Sequence, residues 1–156
     1  MRAPAGVGRG VSTEGAGSRR PEQRPWVLST DGAARGNPGP AGAGATLADP
    51  SGSLVDELGV GLGRLTNNEA EYHALLLGLE MARRHGATRL RVRMDSELVV
   101  RQLAGRYKVK SEHLRPLFDQ ARKLLAAFES AEVVHVFREQ NGDADRLANQ
   151  GIDAAS

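Results

Sequence analysis

Four carboxylates stand at positions where a carboxylate is either costly or well placed for chemistry. Asp31 and Asp95 each follow a short run that reads as a strand, Trp26–Thr30 and Arg89–Met94. Glu71 lies one helical turn before Leu75, in line with an apolar stripe of Leu75, Leu79 and Ala82, with Leu76 beside it. Asp145 stands three and seven residues before Ala148 and Ile152, the same pattern less cleanly drawn. Desolvating an anion without a partner costs several kcal/mol, so a carboxylate on a buried face needs something to offset it. Ligands of sheets built partly from parallel strands gather at the carboxyl ends of those strands. Four acids brought to one point repel unless protonated or neutralised, and hard divalent cations are the usual solution for an all-oxygen set. The chain has no cysteine, and its four histidines (73, 85, 113 and 135) are scattered without zinc-like spacing.

Each acid also has an ordinary reading. Asp31-Gly32 is turn chemistry, and Asp95 with Ser96 would cap a following helix. Glu71 could lie half-exposed, and Asp145 suits the positive end of a helix dipole. Their joint placement is what argues for a site.

The elements that must position these residues can be read along the chain. Trp26–Thr30, Gly42–Ala48 and Leu54–Leu62 form three strand-like runs separated by turn-rich segments, which suggests an antiparallel meander. Thr66-Asn67-Asn68-Glu69 has the form of a capping box, and its helix should run to about His85. Alternation predicts a strand at Arg89–Met94 and another at Glu132–Phe137. Helical patterns occupy 96–103, 114–128 and 141–154. The order is βββαβααβα. It implies an α/β fold with a mixed five-stranded sheet flanked by helices.

Of 156 residues, 40% are hydrophobic and 26% charged, the balance of a globular chain with one core. No apolar run approaches the roughly 20 residues that span a bilayer, so no membrane partner is expected. The absent cysteines suit a reducing compartment, and a cytoplasmic location is the expectation. Residues 1–24 carry five arginines against two glutamates, while the whole chain has a net charge of only +2. The remainder, 25–156, is therefore slightly acidic and reads as one domain behind a Gly/Arg/Pro-rich flexible arm. A weak electrostatic anchor for nucleic acid is the second reading of that arm. Nucleic acid bound to the domain itself must be gripped locally, by single basic groups, metal ions or backbone amides.

Taken together, the blocks resemble those of type 1 ribonuclease H. Ser29-Thr30-Asp31-Gly32-Ala33-Ala34-Arg35-Gly36-Asn37-Pro38-Gly39-Pro40-Ala41-Gly42 is similar to that family's opening strand and loop. Thr66-Asn67-Asn68-Glu69-Ala70-Glu71 resembles its Thr-Asn-Asn-x-x-Glu helix start. Asp95-Ser96 and Asn141-x-x-x-Asp145-x-Leu147-Ala148 follow in order as its other two acidic blocks. The resemblance implies hydrolysis of the RNA strand of an RNA–DNA hybrid, leaving 5′-phosphate and 3′-hydroxyl ends. It makes Asp31, Glu71, Asp95 and Asp145 the catalytic, metal-binding acids for two magnesium ions, with manganese an alternative. It implies substrate contacts from Gly32, Ala33, Ala34 and Asn67 to ribose 2′-hydroxyls, from Thr66 and Asn37 to phosphate or minor groove, and from Asn68 to base edges. A monomer is expected.

Three departures from the family pattern matter. The histidine that many relatives carry before the last helix is missing from Phe137-Arg138-Glu139-Gln140-Asn141, and Arg138 is its natural stand-in. The basic protrusion of some relatives has only Gly105-Arg106-Tyr107-Lys108-Val109-Lys110 as counterpart, which could hold the DNA backbone. Glu97 adds a negative charge beside Asp95. These features resemble a compact bacterial and archaeal subgroup, some members of which also act on double-stranded RNA. The competing readings are an inactive module that binds hybrid or double-stranded RNA, and another nuclease of the same superfold.

Overall fold

The computed structural model describes residues 23–155. The arm expected over 1–24 therefore lies outside the described residues except for its last two.

Five strands and four α-helices alternate as the sequence predicts: β1 (Trp26–Ala34), β2 (Gly39–Ala48), β3 (Leu54–Leu65), α1 (Asn67–Arg84), β4 (Arg89–Met94), α2 (Glu97–Leu103), α3 (Arg115–Ala126), β5 (Ser130–His135) and α4 (Gly142–Ala155). The sheet order is β3-β2-β1-β4-β5. β1 to β3 are antiparallel neighbours, whereas β4 runs parallel to both β1 and β5.

β1 differs from the expectation in an informative way. Asp31 does not end it; the strand runs on to Ala34. Pairing with β4 stops at Thr30 opposite Met94, while pairing with β2 continues from Asp31 opposite Gly44 to Ala34 opposite Ala41. Asp31 thus lies at the end of the parallel half of the sheet and inside its antiparallel half. β5 also differs, starting two residues earlier and ending at His135. A 3-10 turn over Arg138–Gln140 takes up the following chain, because the Phe137 amide donates to Gln140 Oε1 at 3.0 Å and the Gln140 amide to the Phe137 carbonyl at 2.9 Å.

Helices cover the two faces unequally. α1 packs on β1 and β2, and Leu28, Leu47, Tyr72, Leu75, Leu79, Leu90, Val92 and Met94 form the centre of the core between that face and its helices. α4 covers β2, β3 and part of β1 on the opposite face. It can approach because β2 offers no side chains there: a Cβ on Gly44 would sit 2.1 Å from the Ala144 carbonyl oxygen. Among the described residues, no helix is long and apolar enough to cross a membrane.

Candidate active site

Three elements bring the acids together. The α1 helix begins with the expected capping box, in which Thr66 Oγ1 accepts from the Glu69 amide at 3.2 Å and the Thr66 amide donates to Glu69 Oε1 at 2.8 Å. This fixes the first turn and sets Glu71 facing the sheet, only 4% exposed. Asp31, 5% exposed, comes from β1, and half-buried Asp95 follows the last residue of β4. One carboxylate oxygen from each of Asp31, Glu71 and Asp95 lies within 4.8 Å of the others. Asp145, on the first turn of α4, falls outside that tight group but lines the same cleft. The cleft wall is Asp31, Gly32, Ala33, Asn67, Glu71, Asp95, Ser96, Arg138 and Asp145.

The electrostatics show what such a group needs. Burial, then the charges of Glu71 and Asp95, push the Asp31 carboxyl far above the ordinary carboxylate range; a hydrogen bond with Asp145 adds to the rise. Glu71 is also pushed up, by burial and by Asp95, against the opposing pull of the Gly32 amide. The pair can shed this penalty by holding protons or by holding a cation. An all-carboxylate donor set with oxygens this close fits a hard divalent ion. It lacks the nitrogen and sulfur donors that zinc prefers. The ordinary roles open to these acids are thereby narrowed: Glu71 is buried and not half-exposed, and the Ser96 hydroxyl caps α2 through the Val99 amide at 3.3 Å.

The expected substrate contacts divide. Ala33 and Asn67 line the cleft. Gly32 lines it too, but its amide is taken: it donates to Glu71 Oε1 at 3.1 Å. The amide is thus engaged within the protein. Ala34, Asn37, Thr66 and Asn68 lie outside the wall. Asn37 Oδ1 accepts from the Asn67 amide at 3.0 Å, so it ties the β1–β2 turn to the start of α1. The Thr66 hydroxyl is satisfied within its cap, donating to Glu69 Oε1 at 3.0 Å.

Arg138 reaches the cleft as expected. Its side chain is 80% exposed, with Nη2 3.9 Å from Asp145 Oδ1. Glu97 departs from expectation: its carboxylate pairs with Arg101 at 2.6 Å and lies outside the cleft wall, so the added charge is largely compensated locally. The 105–110 segment forms a short loop between α2 and α3, with Tyr107 exposed and the Arg101 guanidinium 5.6 Å from its ring centre. Sequence reasoning missed two supports. Asn141 is 2% exposed and donates from Nδ2 to the Thr30 carbonyl at 2.9 Å, joining α4 to β1 one residue before Asp31. Arg93 bonds both Ser29 and Gln140. Asn141 belonged to a quoted motif, but nothing in spacing distinguishes Arg93 from its neighbours Arg89 and Arg91.

A family model described as reverse transcriptase-like matches residues 29–151. Ribonuclease HI of Halobacterium salinarum is 45% identical over 125 residues, covering 80% of this chain and 63% of its own. The crystal structure of that organism's RNase H1 superposes with a TM-score of 0.81 at 43% identity, covering 83% of this chain and 98% of the other. The chain belongs to the type 1 ribonuclease H family. LC11-RNase H1, solved in complex with an RNA/DNA hybrid, is a further ribonuclease H of this kind, with a TM-score of 0.79 and 41% identity over 83% of this chain and 98% of its own. A bifunctional protein of Mycobacterium tuberculosis is 48% identical over 132 residues, covering 83% of this chain. The chain spans only 36% of that mycobacterial relative and 63% of the Halobacterium one. The five-stranded α/β fold expected from the sequence is thus the fold of the family.

Proposed function

We propose that this chain is a metal-dependent endonuclease that hydrolyses the RNA strand of RNA–DNA hybrids, leaving 5′-phosphate and 3′-hydroxyl ends. The observation that carries the reading is the convergence of Asp31, Glu71 and Asp95 within 4.8 Å, with Asp145 and Arg138 on the same cleft wall. An inactive binding module would have no need to maintain so costly a group of buried anions.

Asp31, Glu71, Asp95 and Asp145 would hold two magnesium ions, with manganese as the alternative. When bound, such ions polarise a phosphodiester, lower the pKa of water and offset charge on the leaving oxygen. The chain's own residues supply the rest. The Gly32 amide orients Glu71, and the α2 cap at Ser96 fixes the chain just after Asp95. Arg138, a guanidinium that stays protonated, contacts phosphate rather than acting as a base. Asn67 and Ala33 face the space beside the acids, where a ribose 2′-hydroxyl distinguishes RNA from DNA without reading sequence. The reading includes a monomer acting in the cytoplasm, with double-stranded RNA as a second substrate to be tested.

Labelled RNA–DNA hybrid, RNA duplex and DNA duplex incubated with magnesium or with chelator test this function. Cleavage confined to the RNA strand of the hybrid, and lost with chelator or in Asp31→Asn, is expected. Tight hybrid binding without cleavage would return the chain to the inactive-module reading, and DNA cleavage to another nuclease of the superfold.

A further inference from the structure

β4 covers its open flank with arginines. Successive strand residues face opposite sides, so Leu90, Val92 and Met94 enter the core while Arg89, Arg91 and Arg93 point the other way. α4 lies over β1 to β3 and leaves this flank to the charged side chains. Two of the arginines pair with carboxylates: Arg89 Nε with Glu129 at 3.2 Å and Arg91 Nε with Glu132 at 2.7 Å.

The third behaves differently. The Arg93 guanidinium donates from Nη1 to Ser29 Oγ at 3.1 Å and from Nη2 to the Gln140 carbonyl at 2.7 Å. Ser29 is opposite it on β1, and only 6% exposed. Gln140 ends the 3-10 turn that begins with Arg138. One planar fork therefore bridges the sheet to the turn, and its rigidity fixes both ends at once. Within the turn, Gln140 is bound twice to Phe137, and the Asn141 amide donates to the Arg138 carbonyl at 3.0 Å. Asn141 then anchors to Thr30 at 2.9 Å, so the turn has a second tie on its far side.

Arg138 itself has little to hold it. Its side chain is 80% exposed and its nearest charged partner, Asp145, is 3.9 Å away. Its aim must come from the backbone beneath it.

We propose that Arg93 is the positioning residue for Arg138: by gripping the Gln140 carbonyl it fixes the turn that presents the Arg138 guanidinium to the acid cleft. The inference rests on the reading of Arg138 as a phosphate-contacting group.

Arg93→Met keeps the aliphatic stem and removes the fork; Arg93→Lys restores one donor. Steady-state cleavage of an RNA–DNA hybrid with magnesium is compared for wild type, Arg93→Met, Arg93→Lys, Arg138→Ala and the Arg93→Met/Arg138→Ala double variant. Amide exchange is followed in parallel at Gln140 and Asn141 and at Leu90 and Val92. The expected result is a kcat loss of about tenfold in Arg93→Met, on the order of 1.4 kcal/mol, with KM within about twofold and partial recovery in Arg93→Lys. The double variant is expected to be no slower than Arg138→Ala. Exchange should quicken at Gln140 and Asn141 and stay unchanged at Leu90 and Val92. Multiplying losses in the double variant, or wild-type exchange in the turn of Arg93→Met, would overturn the proposal. Wild-type turnover in Arg138→Ala would remove the role on which it rests. Failure of the wild type to cut hybrid would sink the proposed function, while the exchange data would still decide whether Arg93 tethers the turn.

Discussion

The amide of Gly32 donates to Glu71 Oε1 at 3.1 Å across the gap between β1 and α1, and it can do so only because Gly32 has no side chain. A Cβ there would lie 2.2 Å from both the carbonyl carbon and the oxygen of Ala70. The same missing atom thus lets the helix approach and gives its buried carboxylate a donor. The residue beside Asp31 thereby positions Glu71.

Gly32→Ala is therefore expected to push the start of α1 off the sheet. Overpacking of this kind costs about 1–3 kcal/mol. A displacement of Glu71 by an ångström would cost about 100-fold in hybrid cleavage. Thermal melting and steady-state kinetics on one preparation check both effects; full activity with lowered stability would show that the contact serves packing alone.

Asp31→Asn should separate activity from stability. Replacing one buried, mutually repelling carboxyl with a neutral amide relieves the charge that Glu71 and Asp95 impose on it. Cleavage is expected to fall at least about 100-fold, while the urea midpoint of the metal-free protein rises. Asp145→Asn, at a position outside the tight three-acid group, should retain the most activity of the acid-to-amide series.

How much of this was legible in advance depends on what each feature requires. The element order follows from local periodicity and from caps such as Thr66 with Glu69, which lie within a few residues of each other. The grouping of Asp31, Glu71 and Asp95 was legible because strand ends and an apolar helix stripe restrict where a side chain can point. The continuation of β1 through Asp31 to Ala34 was not, since Asp-Gly reads locally as a turn and only pairing with β2 keeps it extended. The bond from Gly32 to Glu71 was hidden for a similar reason: the backbone that Gly32 packs against is that of Ala70, 38 positions along the chain. Arg93 was invisible because Arg89, Arg91 and Arg93 have the same spacing, and only the fold decides which one meets a carbonyl.

The metal-free protein should lose stability as pH rises. Asp31 and Glu71 both bind protons more tightly when folded than their ordinary values of 3.8 and 4.5. Folding therefore takes up protons; the contribution is fully present below those values and is lost as pH climbs through the raised ones. In chelator, the urea midpoint is expected to be lower at pH 8 than at pH 6. Magnesium should shrink that difference by replacing the protons, and Asp31→Asn should flatten the slope. A midpoint that rises from pH 6 to pH 8 in chelator would count against the buried, crowded state of the acids.

Arg138→Ala should cost about tenfold or more in turnover, worth at least 1.4 kcal/mol. Arg138→Lys should cost less, because an ammonium keeps the charge but loses the planar fork. Equal losses in the two variants would mean that geometry and not charge matters at this position. Hybrid cleavage at saturating magnesium is the measurement.

Gly44 has no functional group, yet it is the floor beneath α4. Even one methyl group on that strand would act as a wedge under Ala144, tilting the helix at the turn that carries Asp145. The three tightly grouped acids would keep their places while the fourth swung away. The number of carboxylates the cleft can muster is therefore set partly from below, by a strand residue that never faces the substrate.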